Sequence, residues 1–263
     1  YMKKKLIILT GPTAVGKTDL SIRLARTVGG EIISADSMQV YRRMDIGTAK
    51  IRPEEMDGVR HHLIDILEPT ENFNAFLFKE YALKAANEIW ERGSIPIIVG
   101  GTGFYIQTLL YDIEFAKSDE NDGIRDELNK LYEEHGAAFL HDMLAKADPE
   151  YAAEVHENNV KKVIRAIEFY RQTGHKLSEH NTEQRRRTSP YNFEYFVLSD
   201  DRAVLYERID KRIDKMVEAG LIAEVQALLD EGVDRKSVAM QGLGYKEIAS
   251  YLAGEISLDE AIY

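Results

Sequence analysis

Residues 6–20 read LIILTGPTAVGKTDL, and this stretch decides the fold. Leu6 to Leu9 form a short apolar run closed by glycine, as expected of a buried parallel strand. Gly11, Pro12, Thr13, Ala14, Val15, Gly16, Lys17 and Thr18 fit the pattern G-x-x-x-x-G-K-[ST]. Lys17 to Val28 then sets Leu20, Leu24 and Val28 on one helical face. In a turn between strand and helix, successive backbone N–H groups converge on phosphate oxygens at the positive end of the helix. Lys17 adds a point charge, and the Thr18 hydroxyl is suited to ligate Mg²⁺. The pattern asks for a polyphosphate. It is equally a nucleotide-binding and ATP-binding signature, so it does not name the donor.

Outward from this loop, strands and helices alternate. Glu31 to Ser34 reads as a second strand ending at Asp36. Asn74 to Arg92 reads as a helix with Phe78, Ala82, Ala85 and Ile89 as its apolar stripe, stopped by Gly93. Ile95 to Val99 is a further buried strand, ending in Gly100-Gly101-Thr102-Gly103, and Tyr195 to Leu198 is a later one. Alternation of this kind means an α/β fold with a mainly parallel sheet. Between residues 115 and 192 the alternation lapses into helices, about Gly123 to His135, Ala137 to Lys146 and Val160 to Thr173, closed by Gly174. The expected organisation is a discontinuous core, residues 2–114 and 193–263, carrying a helical insertion at 115–192. From Asp201 the chain is helical again, with Leu205, Ile209, Ile213 and Met216 as a stripe. Tyr1 ahead of Met2 is left out of the fold, and a helix beginning near Leu258 suggests that the native protein is longer.

The chain has 263 residues, 44% hydrophobic and 30% charged, with no cysteine. Disulfides and cysteine-ligated zinc are therefore excluded. No apolar run is long enough to span a bilayer, and a cytoplasmic protein is expected. The formal net charge of −11 argues against nucleic-acid binding, but a partner meets a local surface rather than an average. Glu114 to Glu157 is strongly acidic, with Glu114, Asp119, Glu120, Asp122, Asp126, Glu127, Glu133 and Glu134. Asn158 to Pro190 is basic, with Lys161, Lys162, Arg165, Arg171, Lys176, Arg185, Arg186 and Arg187. That contrast keeps a polyanion partner open.

Further candidates lie at the ends of the strands. Asp36 closes the second strand, and strand C-termini line the ligand crevice of α/β sheets. There it would ligate Mg²⁺ through water, act as a general base, or simply cap the turn. Ser37 and Gln39 beside it suit a base edge. Thr102 can point into the same crevice, or belong to a tight turn into the next helix. Arg208 and Arg212 share a helical face and are placed to close over phosphates, or to form surface ion pairs. His61 and His62 are adjacent and point apart, so a structural role fits them better than shared metal ligation.

Taken in order, GPTAVGKT, ADSMQVYRRMDIGTAK, HHLIDILEPTENFNAFLF, IPIIVGGTGFY, NNVKKVIRAIEFYRQTG, RIDKRIDKMVEAGLIAEVQAL and QGLGYKEIASYLAGEISLDEAI resemble one family over nearly the whole chain: the bacterial-type tRNA dimethylallyltransferases, or tRNA isopentenyltransferases. The resemblance implies a fold similar to that of P-loop kinases. It implies transfer of a dimethylallyl group from dimethylallyl diphosphate to the exocyclic N6 amine of the adenosine just 3′ of the anticodon. The loop would then hold the diphosphate leaving group, with Mg²⁺ on Thr18. Asp36 would accept the amine proton and Thr102 would orient the amine. Lys17 and Arg212, preferred over Arg208, would stabilise the departing charge. For tRNA the resemblance implies contacts from Asp36, Ser37, Met38, Gln39 and Thr102, and from Arg125, Val160, Lys161, Lys162, Val163, Ile164 and Arg165 in the insertion. The partners implied are tRNA, through its anticodon stem-loop, and dimethylallyl diphosphate. No membrane is implied, and a monomer is expected. Two departures stand out. The family usually has Ser or Thr where this chain has Val15, and it continues past Tyr263 with a basic helix that meets tRNA. The alternatives are a P-loop kinase acting on a small metabolite and a nucleotide-binding regulator without chemistry. The kinase does not account for DSMQVY, the basic insertion or Thr102, and the regulator leaves Asp36 unexplained.

Overall fold

The computed structural model describes residues 3–113 and 123–262. The expected domain boundary at 114/115 and the acidic residues Glu114, Asp119, Glu120 and Asp122 lie outside the described residues. In chain order the elements are β1 (Lys5–Thr10), α1 (Lys17–Val28), β2 (Gly30–Ser34), β3 (His61–His62), α2 (Ala75–Glu91), β4 (Ile95–Gly100) and α3 (Gly103–Leu110). They continue with α4 (Ile124–Ala147), α5 (Pro149–Glu154), α6 (Val160–Thr173), α7 (Leu177–Arg185), β5 (Asn192–Val197), α8 (Arg202–Glu218), α9 (Leu221–Asp230), α10 (Tyr245–Leu252) and α11 (Leu258–Ile262). The chain divides into two compact units, residues 1–110 with 189–263, and residues 111–188.

The first unit is built on a five-stranded sheet of order β3-β2-β4-β1-β5, parallel throughout. Side chains alternate across a strand. Ile7, Ile32 and Ile97 are in register and share one face, where α1 covers them with Ile22 and Ala25. Ile8, Ile33 and Ile98 point to the opposite face, where α2 packs on β2 and β4 with Phe78, Ala82, Ala85 and Ile89. The face that α1 buries is centred on Ser21, Ile22 and Ala25; Leu24 and Val28 flank it. The buried face is thus centred about one position from the expected stripe, as α1 lies across β1, β2 and β4. In α8 no residue is buried, and Leu205, Ile209, Ile213 and Met216 are half-covered.

The Glu31 carboxylate, on β2, ties two neighbours to the sheet edge. It accepts from Arg92 Nε and Nη2 at 2.9 and 2.8 Å and meets His62 Nε2 at 2.7 Å. Burial pushes its pKa up, but the bonds from Arg92 and His62 outweigh that and hold it below the ordinary value. His61 Nδ1 lies 2.9 Å from the Val59 carbonyl. Both histidines are therefore structural.

The second unit has its own core, formed by Leu128, Leu140, Leu144, Ala152, Val163, Ala166 and Ile167. α4 bends at Gly136, whose φ of 83° no ordinary side chain accepts easily. The fully buried Asp148 caps α5 through Tyr151 N at 3.2 Å. It also accepts from Ser178 N at 2.8 Å and Ser178 Oγ at 2.6 Å, joining α7 to α5. No helix among the described residues is long and apolar enough to cross a membrane.

Candidate active site

Three loops leave the C-terminal ends of three adjacent strands, β2, β4 and β1. This is where open parallel sheets gather ligands. The loop after β1 runs from Gly11 to Thr18. Gly11 has φ 149°, and a Cβ there would stand 2.6 Å from the Leu198 carbonyl oxygen. Glycine is thus required where the loop passes the end of β5. Gly16 (φ 95°) turns the chain into α1, and Ala14 (φ 63°) shares the left-handed conformation. Lys17 Nζ donates to the carbonyls of Gly11 at 2.7 Å and Pro12 at 2.6 Å, which curls the loop round the ammonium. Thr18 is exposed at the start of α1.

The loop after β2 carries Asp36. Its Oδ1 accepts from the backbone N–H groups of Met38 at 2.7 Å and Gln39 at 3.1 Å, an Asx turn that fixes the carboxylate. The Gln39 side chain is held at both ends. Its Oε1 accepts from Ser34 Oγ at 3.2 Å, and its Nε2 donates to the Thr48 carbonyl at 3.1 Å. Ser37 and Met38 are half-buried beside it. The loop after β4 lies against both others. A Cβ on Gly100 would stand 2.4 Å from the Ala35 carbonyl oxygen, and Thr10 Oγ1 donates to the Gly100 carbonyl at 2.8 Å. Thr102 is half-buried at the head of α3, where its carbonyl accepts from Tyr105 N at 3.0 Å.

Electrostatics joins these parts. Burial depresses the Lys17 pKa, the nearby Arg212 guanidinium depresses it further, and Asp36 opposes both. Burial also lowers Arg212, against the pull of Asp36. Burial raises the Tyr105 phenol, and Asp36 adds to the rise. The Asp36 charge thus acts on Lys17, Arg212 and Tyr105, and Tyr105 is anchored by stacking on Phe78 at 4.9 Å between ring centroids. Arg208 pairs with Asp200 at 2.9 Å and reaches the carbonyl of Ala14, in the loop after β1, at 3.5 Å.

The remaining candidates lie in the second unit. Val163 and Ile164 are buried in its core, and Val160 packs against that core. Lys161, Lys162 and Arg165 are exposed on the same helix, and none has an ion-pair partner among the described residues. Arg125 pairs with the buried Glu168 while its own side chain stays largely open. No group of three or more His, Cys, Asp or Glu side chains is placed to hold a metal among the described residues. A Mg²⁺ that rests mainly on substrate phosphates does not need such a group. Sequence reasoning missed Tyr105 and the side-chain role of Gln39. The only hint for Tyr105 was its place three residues after Thr102, one helical turn on.

A loop curled round Lys17, a fixed carboxylate and a glycine-rich loop thus lie on neighbouring strand ends of a P-loop-like α/β core. A family model described as IPP transferase matches residues 39–263. The chain is 58% identical over 258 residues to the tRNA dimethylallyltransferase of Lachnoclostridium phytofermentans, spanning 98% of this chain and 82% of that one. It is 51% identical over 262 residues to the corresponding protein of Carboxydothermus hydrogenoformans, spanning 100% and 84%. The solved structure of the full-length tRNA isopentenylpyrophosphate transferase of Bacillus halodurans is similar, with TM-score 0.72 and 46% identity over 99% of this chain and 81% of that one. A eukaryotic dimethylallyltransferase acting on tRNA gives TM-score 0.86 at 33% identity, over 98% of this chain and 65% of that one. The chain belongs to the tRNA dimethylallyltransferase family, enzymes that prenylate tRNA.

Proposed function

We propose that this chain transfers the dimethylallyl group of dimethylallyl diphosphate to the N6 amine of the adenosine 3′ of the anticodon. One observation carries the reading: two N–H donors fix the Asp36 carboxylate after β2, on the same edge of the sheet as the loop after β1 that encloses Lys17.

In the step, a bond forms between N6 and C1 of the dimethylallyl group while the C1–O bond to diphosphate breaks. The N6 proton passes to Asp36, through the carboxylate oxygen that the Asx turn leaves available. The exocyclic amine is a weak nucleophile because its lone pair is delocalised into the ring, so a positioned base matters. Lys17, Arg212 and the loop N–H groups stabilise the charge that grows on the leaving oxygen. Thr102 orients the amine. The exposed Thr18 hydroxyl would hold a Mg²⁺, which would neutralise part of that charge. The target base must leave the anticodon-loop stack to reach this crevice. Asp36 to Gln39 would receive it. Lys161, Lys162 and Arg165, with Arg125, would hold the RNA backbone, the backbone of Val160, Val163 and Ile164 lying beneath them.

The test is transfer to an anticodon stem-loop RNA read by mass, with ATP as a competing donor. Prenylated adenosine supports the reading. Phosphate transfer from ATP with no prenylation would overturn it.

A further inference from the structure

The loop that carries Asp36 continues through residues 45–48, and there it meets one carboxylate from far along the chain. Glu224, on α9, accepts from the backbone N–H groups of Asp45 at 3.0 Å and Ile46 at 2.8 Å through Oε2. Its Oε1 accepts from Gly47 N at 3.2 Å and from the Tyr245 hydroxyl. The Tyr245 ring is fully buried, and a Cβ on Gly47 would stand 2.5 Å from it. Glycine at 47 therefore admits the ring. Next in the chain, the Thr48 carbonyl accepts from Gln39 Nε2, and Gln39 N donates to Asp36 Oδ1. A second contact supports the same loop: a Cβ on Gly242 would stand 2.8 Å from Met38 Sδ. Met38 N is the other donor to Asp36.

We propose that Glu224 and Tyr245 form a clamp that positions Asp36 for catalysis, acting through residues 45–48 and Gln39. The clamp rests on the functional reading above for its consequence, but not for its geometry. Each carboxylate oxygen of Glu224 receives two hydrogens, so all four bonds need an acceptor. An amide at this position places its NH₂ against two donors in either orientation. Glu224→Gln therefore breaks half the clamp with almost no change in volume. A misplacement of the base by a fraction of an ångström is enough to slow transfer without changing how the donor binds.

The test combines amide hydrogen exchange with single-turnover transfer. In Glu224→Gln the amides of Met38 and Gln39, along with those of residues 45–47, should exchange about tenfold faster, while α2 amides stay unchanged. The transfer rate should fall about tenfold, with KM for dimethylallyl diphosphate unchanged; in an Asp36→Asn background the same substitution should cost less than about twofold, because Glu224 acts through Asp36. Tyr245→Phe removes one donor and keeps the ring, so it should move the same readings less far, and it serves if Glu224→Gln does not fold. Unchanged exchange at Met38 and Gln39, or an equal loss in both backgrounds, would overturn the clamp. If the unaltered protein transferred no prenyl group, the functional reading would fail, and the exchange data would still decide the clamp.

Discussion

In the proposed mechanism Asp36 is the residue on which the chemistry turns. The Asx turn from Met38 and Gln39 holds one of its oxygens, which orients the other. Asp36→Asn keeps that turn and removes the base. It should lower the transfer rate by about 10² to 10⁴-fold, with affinity for dimethylallyl diphosphate nearly unchanged, as measured by single-turnover kinetics and titration. A loss of donor affinity as large as the rate loss would mean that Asp36 serves the diphosphate instead. The position of Asp36 at the end of a strand was legible from the sequence, as was the pattern from Gly11 to Thr18. What was not legible is how Asp36 is held. Gln39 suggested a base-edge contact, yet its side chain is occupied at both ends by Ser34 and Thr48. Glu224 lies 179 positions beyond Asp45, whose backbone N–H it accepts from, and no local pattern reports such a pairing.

At the scale of elements, short-range rules explain the long helices. α6 runs from Val160 to Thr173 and ends at Gly174 in the left-handed conformation, as its apolar spacing and terminal glycine require. α5 and α7 escaped because both are short and polar, and a buried carboxylate between them stabilises them. Asp148→Ala should orphan the Ser178 amide and uncap α5, costing about 1–2 kcal/mol of stability, read as a lower midpoint of thermal unfolding. No change in the midpoint would show that this link carries nothing. β3 escaped because two residues give no periodicity. Its place comes from Glu31, whose folded pKa is depressed. Sign follows from that direction: the stabilisation is present above the unfolded carboxylate pKa and lost as pH falls through the folded one. Glu31→Gln should therefore flatten stability against pH on the acid side, as followed by denaturant titration, while leaving the neutral and alkaline slope unchanged. An unchanged acid slope would contradict the assignment.

For the whole molecule, the proposed RNA surface reconciles a net charge of −11 with a tRNA partner by where the cations sit. Lys161, Lys162 and Arg165 project from α6 while Val163 and Ile164 anchor it in the core of the second unit. Replacing the three by Gln should weaken anticodon stem-loop binding and lower its salt dependence by roughly one unit of slope for each phosphate that is no longer neutralised. The diphosphate KM should stay as it was. An unchanged salt slope would move the RNA surface elsewhere. The alternation of strands and helices was enough to predict the parallel sheet, since each crossover helix must cover one of its faces. The net charge alone pointed away from a polyanion, and only the contrast between the acidic stretch to Glu157 and the basic stretch from Asn158 kept one open. The central claim is that one crevice holds both the diphosphate and the base that accepts the amine proton. It is tested most directly by mixing the protein with Mg²⁺, dimethylallyl diphosphate and an anticodon stem-loop RNA, and following the mass of the adenosine in a single turnover, with Asp36→Asn alongside. The expected result is an added dimethylallyl group on N6, formed at a sharply reduced rate by the variant while the donor still binds. Equal rates for the two proteins, or modification at another position, would contradict it.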